Sequence, residues 1–369
     1  MKSVLFINQS PNSMLCDIAD VYAASGYRCI LLSGDPPAKK NSFSQHVLLK
    51  QYNRSSAISR LNSWMTFLFQ SVKWIKRNNA EIDLYFLVSN PPFTLYLPLL
   101  TSIKKSRIRM LVYDLYPDIF AKMHRILTFM PFLAMTALNK KAFRHAENIY
   151  APSRSLSKAI GKYTDESITT VYNWVDTSLF QQVQKSQNHF LIKHHLENKF
   201  VVLYSGNMGK THDVETLLAT AEELSDEKDI VFLFIGEGEG MKAVDERIKA
   251  GAINCKRFPF QNELFNHSIA CGDLAWLSYK KGYEEYSIPS KLPFYLATGT
   301  PVLMVGDPGS ELAMLLEENK IGFAERNNEA KAIASLILQL MNSDNTDMRN
   351  RCTEFTRDHF SKSNAEAFL

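Results

Sequence analysis

The chain has 369 residues, 46% hydrophobic and 22% charged, which supplies cores of ordinary size and excludes a disordered or fibrous protein. Its five scattered cysteines show no Cys-x-x-Cys spacing, which excludes a disulfide framework or a zinc knuckle and suits a reducing compartment. The net charge of +4 conceals an asymmetry: residues 1–180 hold 22 Lys and Arg against 11 Asp and Glu, the remainder 20 against 27. This means either different partners for the two halves or drift in surface composition.

The opening run of apolar residues is too short for a signal peptide and reads as a first strand, Val4–Ile7. Further strands are expected at Cys29–Leu32, Leu84–Val88, Met110–Tyr113, Asn148–Ala151 and Thr169–Tyr172. Helical patterns at Cys16–Ala24, Ser56–Lys76 and Phe120–Ala146 separate them. After the Gln-rich stretch Gln181–His189 the pattern restarts. Strands are expected at Phe200–Ser205, Ile230–Ile235, Asn254–Phe258, Leu274–Leu277 and Pro301–Val305. Helices are expected near Val214–Leu224, Met241–Ala250, Glu263–Ala270, Leu292–Ala297 and Ser310–Glu318. Continuous apolar strands alternating with helices predict an α/β protein with two doubly wound parallel sheets facing across a cleft. The expected domains are 1–185, 186–345 and a C-terminal helix, 346–369, crossing back toward the first domain. No apolar run approaches the ~20 residues of a membrane span.

Ligands bind such sheets just beyond the carboxyl ends of the strands, so candidate residues are sought there. Tyr204-Ser205-Gly206-Asn207-Met208-Gly209-Lys210 follows a strand and precedes a helix. Its glycines and Lys210 suit a diphosphate cradle; the alternative is an ordinary loop capped by Asp213. Gly236-Glu237-Gly238-Glu239-Gly240 is read as a flexible turn, because its spacing fails the dinucleotide pattern and its glutamates repel a pyrophosphate. In Pro289-Ser290-Lys291-Leu292, Ser290 reads as a helix N-cap. Lys291 beside a helix start suits an anion site better than an exposed surface lysine. Asp114 ends a strand in Asp114-Leu115-Tyr116-Pro117-Asp118, either facing a ligand or capping a helix. The histidines show no metal-ligand spacing, and neither a nucleophile elbow nor a Walker loop is present.

These segments, with Tyr172-Asn173-Trp174-Val175-Asp176 and Ala297-Thr298-Gly299-Thr300-Pro301-Val302, resemble the retaining glycosyltransferases of family four. The likeness is clearest over residues 110–325. It is nearest the bacterial O-antigen and capsule branch that includes N-acetylfucosaminyltransferases. The resemblance implies a GT-B fold and metal-independent hexosyl or N-acetylhexosaminyl transfer. The donor would be a UDP- or GDP-linked sugar used as substrate, with no cofactor, and the acceptor a lipid-linked or oligosaccharide glycan. Carried over by position, Gly206, Asn207, Lys210, Ser290 and Lys291 would lie by the donor diphosphate, Phe260 by the nucleobase, and Asp114, as catalytic residue, on the acceptor side. The family's two glutamates are replaced here by Tyr286 and Phe294, which leaves the stereochemical outcome open. A non-catalytic partner subunit and a sugar-nucleotide 2-epimerase share the fold and stand as alternatives.

The expected location is cytoplasmic, peripheral on the inner membrane face, with no nucleic-acid partner. Arg60–Arg77 and Lys122–Arg144 combine aromatic and apolar residues with basic ends, which suits a headgroup region; core packing of the same helices is the alternative.

Overall fold

A computed structural model describes every residue except 119–129, 253 and 284–287. The chain divides into two compact units, Met1–Tyr172 with Ser363–Leu369, and Asn173–Lys362.

The first unit runs β1 (Ser3–Ile7), α1 (Ser13–Ala24), β2 (Arg28–Ser33), β3 (Gln45–Leu48), α2 (Ala57–Asn78), β4 (Leu84–Val88), α3 (Leu97–Leu100), β5 (Ile108–Leu111), α4 (Met130–Phe143), β6 (Asn148–Ala151), α5 (Arg154–Ile160) and β7 (Ile168–Thr170). Its strands form one parallel sheet in the order β3-β2-β1-β4-β5-β6-β7. All five residues of β1 and of β4 are buried, because helices cover both faces of a doubly wound sheet. Asn12 and Ser56 start α1 and α2 by accepting backbone N–H groups from Leu15 and Ser59.

The second unit runs α6 (His189–His194), β8 (Phe200–Ser205), α7 (Val214–Glu223), β9 (Ile230–Ile235), α8 (Met241–Lys249), β10 (Cys255–Phe258), α9 (Phe265–Ile269), β11 (Leu274–Ser278), α10 (Leu292–Ala297), β12 (Val302–Val305), α11 (Glu311–Glu318), β13 (Gly322–Glu325), α12 (Ala330–Met341) and α13 (Thr346–His359). Its parallel sheet has the order β10-β9-β8-β11-β12-β13. Chain order reverses between β8 and β11, the switch point where a doubly wound sheet opens a ligand crevice. One face is sealed by α7 and α12, whose Leu217, Ala221, Ile333 and Ile337 pack on Val202, Tyr204, Phe232 and Trp276.

The division at 172/173 replaces the boundary expected at 185/186. The segment after Asn173 is tied to the second unit, through Val175 N–H to Phe360 O at 2.9 Å and Lys185 Nζ to Asp273 at 2.5 Å. The polar composition of Gln181–His189 marked a surface passage, not the point where the cores part. The terminal helix α13 stays with the second unit, and only the last seven residues join the first. There Tyr22 donates its hydroxyl to Phe368 O at 2.6 Å, and the Phe368 ring lies 4.6 Å from that of Tyr150. The helix expected over 120–146 is described from Met130 onward; its earlier part lies outside the described residues. Edge strands β3 and β13 are too short or too exposed to read as apolar runs.

Candidate functional site

Beyond β8 the chain turns at Gly206, with φ +125°, a conformation that L side chains rarely adopt. A second turn follows β9 through Gly236 (φ +126°) and Gly238 (φ +123°). The two turns interlock through Gly206 N–H to Ile235 O at 2.8 Å, Met208 N–H to Glu237 O at 2.7 Å and Gly240 N–H to Met208 O at 2.9 Å. A Cβ on Gly236 would stand 2.4 Å from Gly206 O, and one on Gly238 2.4 Å from Met208 O. The stretch Gly236–Gly240, expected to be a flexible turn, is a backbone-to-backbone contact that only glycine permits.

Lys291 reaches this loop from the start of α10. Its Nζ stands 3.9 Å from the centre of the Tyr204 ring, and a Cβ on Gly206 would lie 3.2 Å from the same nitrogen. The residue is half-buried along its stem, but Nζ itself is buried and has no hydrogen-bond partner among the described residues. Burial lowers its pKa to about 7. The helix is fastened by Tyr295, one turn on. Its fully buried hydroxyl donates to Ser205 O at 2.9 Å and accepts from Ser205 N–H at 2.8 Å, fixing α10 to the end of β8.

Among the described residues, the neighbouring groups supply Lys291 with no counter-charge. Burial, and then the Lys291 charge, lower the His212 pKa to about 4, so the imidazole is neutral; its Nδ1 accepts the Gly209 N–H at 3.1 Å. The Asp213 carboxylate caps α7, accepting Thr216 N–H at 3.1 Å, Thr216 Oγ1 at 2.5 Å and Asn327 Nδ2 at 2.5 Å. A buried ammonium left unpaired beside a glycine turn carries a desolvation cost that a bound anion would remove.

The structure brings Gly206 and Lys291 together, and adds Tyr204, His212 and Tyr295, which motif reading did not assign. Lys210 is exposed and stands 3.4 Å from Glu239, and Asn207 is exposed beside it. Phe260 lies in the loop after β10, 42% exposed. Ser290 is exposed and is not the cap. Lys291 occupies that position with no side-chain cap bond, because the turn closes by Leu292 N–H to Pro289 O at 3.0 Å. Phe294 sits edge-on to Phe180 at 4.9 Å and 6.0 Å from Phe265, while Tyr286 lies outside the described residues.

In the first unit, Asp114 follows β5, and its N–H and that of Tyr113 donate to Ser89 Oγ at 3.3 and 2.8 Å. The residue keeps solvent access, yet desolvation at this crowded sheet edge raises its carboxyl pKa above the ordinary value.

Residues 186–359 match the family described as Glycosyl transferases group 1. That match falls within the second unit, and the two-sheet α/β architecture is the GT-B fold. The chain is 29% identical over 189 residues to WcaI of Escherichia coli (strain K12), named as a colanic acid biosynthesis glycosyl transferase. That match covers 49% of this chain and 46% of the relative, so it spans about half of that protein's length. Over 322 residues it is 24% identical to WbjE of Pseudomonas aeruginosa, named as a glycosyltransferase, covering 84% and 79% of the two chains. The crystal structure of Anabaena HepE in complex with UDP-glucose superposes with a TM-score of 0.68 at 16% identity, over 100% of this chain and 98% of that one.

Proposed function

We propose that this protein transfers a sugar from a nucleoside-diphosphate donor, held by the second unit, to a glycan acceptor held by the first, in surface-polysaccharide assembly. The observation that carries the reading is the Lys291 ammonium, buried, without a partner among the described residues and set against Gly206. The acceptor hydroxyl attacks the anomeric carbon, the bond from that carbon to the diphosphate oxygen breaks, and the nucleoside diphosphate leaves with the added negative charge. Lys291 stabilises that charge where it develops, and Asp114 takes the hydroxyl proton. UDP is the favoured nucleotide, in line with the UDP-glucose complex of HepE. A hexosyl or N-acetylhexosaminyl donor, metal-independent chemistry and a lipid-linked acceptor complete the reading. The first unit docks peripherally on the inner face of the cytoplasmic membrane, where such an acceptor lies.

Purified protein incubated with UDP- and GDP-sugars and undecaprenyl-diphosphate-linked sugars tests it, with product followed by mass spectrometry. Lys291→Ala should lower kcat/KM for the donor roughly 10- to 100-fold, the loss of a charge-assisted hydrogen bond. Asp114→Asn should lower kcat and leave donor KM in place. No transfer from any donor, or both variants at the wild-type rate, would sink the proposal; epimerised donor in place of product would establish the epimerase alternative.

A further inference from the structure

The carboxyl edge of the first sheet carries a second arrangement that sequence motifs did not announce. Tyr52, in the segment after β3, stacks on Trp64 of α2, with ring centroids 6.1 Å apart and planes 16° from parallel. Trp64 in turn meets Phe93 edge-on at 5.9 Å and Tyr116 at 6.3 Å. All four rings are only half-buried, although they come from four separate segments of the unit. The Arg54 guanidinium stands 5.1 Å from the Tyr52 ring centre. Asp114 is close enough for its charge to act on the Tyr116 hydroxyl.

Among the described residues, two polar atoms beside these rings are buried and have no hydrogen-bond partner: the indole Nε1–H of Trp64 and Oε1 of Gln9. Gln9 is fully buried. Its Nε2 already donates to Lys50 O at 2.9 Å and to Ser63 O, the residue before Trp64, at 3.2 Å, which fixes Oε1 as the spare acceptor. A buried donor or acceptor left without a partner is costly to the fold. One such donor and one such acceptor beside open aromatic faces call for a ligand that has apolar C–H faces and also hydroxyls that both give and accept hydrogen bonds. A pyranose ring has that composition; a lipid chain lacks the hydroxyls, and a phosphate lacks the C–H face.

We infer that the Tyr52–Trp64–Tyr116 wall, with Trp64 Nε1–H, Gln9 Oε1 and the Asp114 carboxylate, is a subsite for a sugar ring of the acceptor. The inference rests on the proposed transfer reaction and names the part of the acceptor that this unit grips. The ring packs its C–H face on the aromatic wall, and its hydroxyls satisfy the two orphan atoms. Asp114 stands at the end of the wall beside Tyr116.

The test is direct binding to the full chain with no donor present. Its probes are the methyl glycosides of glucose, galactose, mannose, N-acetylglucosamine, N-acetylgalactosamine and fucose. The Trp64 indole N–H resonance, assigned by its disappearance in Trp64→Phe, should move on titration with at least one of them. Trp64→Phe keeps the ring and loses the donor, and should weaken that glycoside about fivefold, the worth of one neutral hydrogen bond. Tyr52→Ala should weaken it further, with the resonance of Trp64 still there to be read should Trp64→Phe fold poorly. A resonance that moves with undecaprenyl phosphate and with none of the glycosides makes the wall a lipid site and overturns the inference. So does glycoside binding indifferent to both variants, or no response to any probe. Because no donor is used, a protein that transfers sugar yet fails here loses only the subsite. One that binds the glycosides yet transfers nothing loses only the transfer reaction.

Discussion

Lys291 carries a proton equilibrium set by its surroundings. Its pKa stands at about 7 in the ligand-free protein against 10.5 when solvated, because burial penalises the charged form. The unfolded chain therefore binds more protons at this group between those values, so its contribution to stability rises with pH across that window. Donor binding has the opposite sign. A diphosphate favours the ammonium, so binding above pH 7 must draw a proton from solution, and affinity should fall as pH rises from 7. Calorimetry with UDP at pH 8, in two buffers of different ionisation enthalpy, should show net proton uptake, and Lys291→Met should abolish it. Equal heats in both buffers for the wild-type protein would mean that the diphosphate does not meet this ammonium. Lys291 was legible in the sequence as a cation in an electrostatically poor place. The partner that makes it unusual, the Tyr204 ring below it, became visible only when β8 and α10 were brought together.

At the scale of elements, the loop after β8 keeps its shape because two turns share one contact surface. Gly236 cannot carry a Cβ: its φ is +126°, and the added atom would meet Gly206 O at 2.4 Å. Gly236→Ala should therefore cost about 1–3 kcal/mol through strain and displaced backbone. For a unit of this size that is a fall in Tm of roughly 2–4 °C per kcal/mol, readable by differential scanning calorimetry. It should also weaken UDP binding, since the displaced backbone is that of Gly206. An unchanged Tm would show that the two turns separate freely. Reading the sequence one loop at a time assigned the second turn no structural task, because its partner lies thirty residues earlier. The interlock belongs to the parallel pairing of β8 with β9. The same limit explains Tyr52 and Trp64, which are unremarkable in their own segments and form a wall only across the first sheet's edge.

At the scale of the whole molecule, the basic balance of residues 1–180 sits on a unit whose α2 has two characters. Phe67, Leu68 and Ile75 are buried against the sheet, whereas Ile58, Leu61 and Phe69 are exposed at 82%, 50% and 60%. Core packing thus accounts for one face of the stretch Arg60–Arg77 and leaves apolar groups exposed elsewhere on the helix. Among the described residues no helix is long and apolar enough to cross a membrane. Near an anionic leaflet each Lys or Arg contributes about 1 kcal/mol, so a few suffice for reversible docking. In a flotation experiment the protein should rise with phosphatidylglycerol vesicles at low salt and be released at high salt, because the attraction is screened. Sedimentation with anionic and neutral vesicles alike would assign the basic half another purpose. The second basic stretch, Lys122–Arg144, contributes exposed Leu133 and Leu138 from α4, and its first part lies outside the described residues.

By itself, the sequence determined the α/β class, most strands of both sheets and the two loops that bear Gly206 and Lys291. Each of these is written in local order: apolar runs of strand length, helical periodicity, glycine after a strand. Tertiary structure alone decided where the units part, because the burial of Trp174 and Val175 in the second unit is not written in the composition that pointed to Gln181–His189. It also decided which lysine is the buried one. Both Lys210 and Lys291 were expected by the donor diphosphate, but Lys210 has an exposed glutamate within 3.4 Å, while Lys291 lies against an aromatic ring with no hydrogen-bond partner among the described residues. Burial and the absence of a partner are properties of three-dimensional packing among residues far apart in the chain, and no local pattern encodes them.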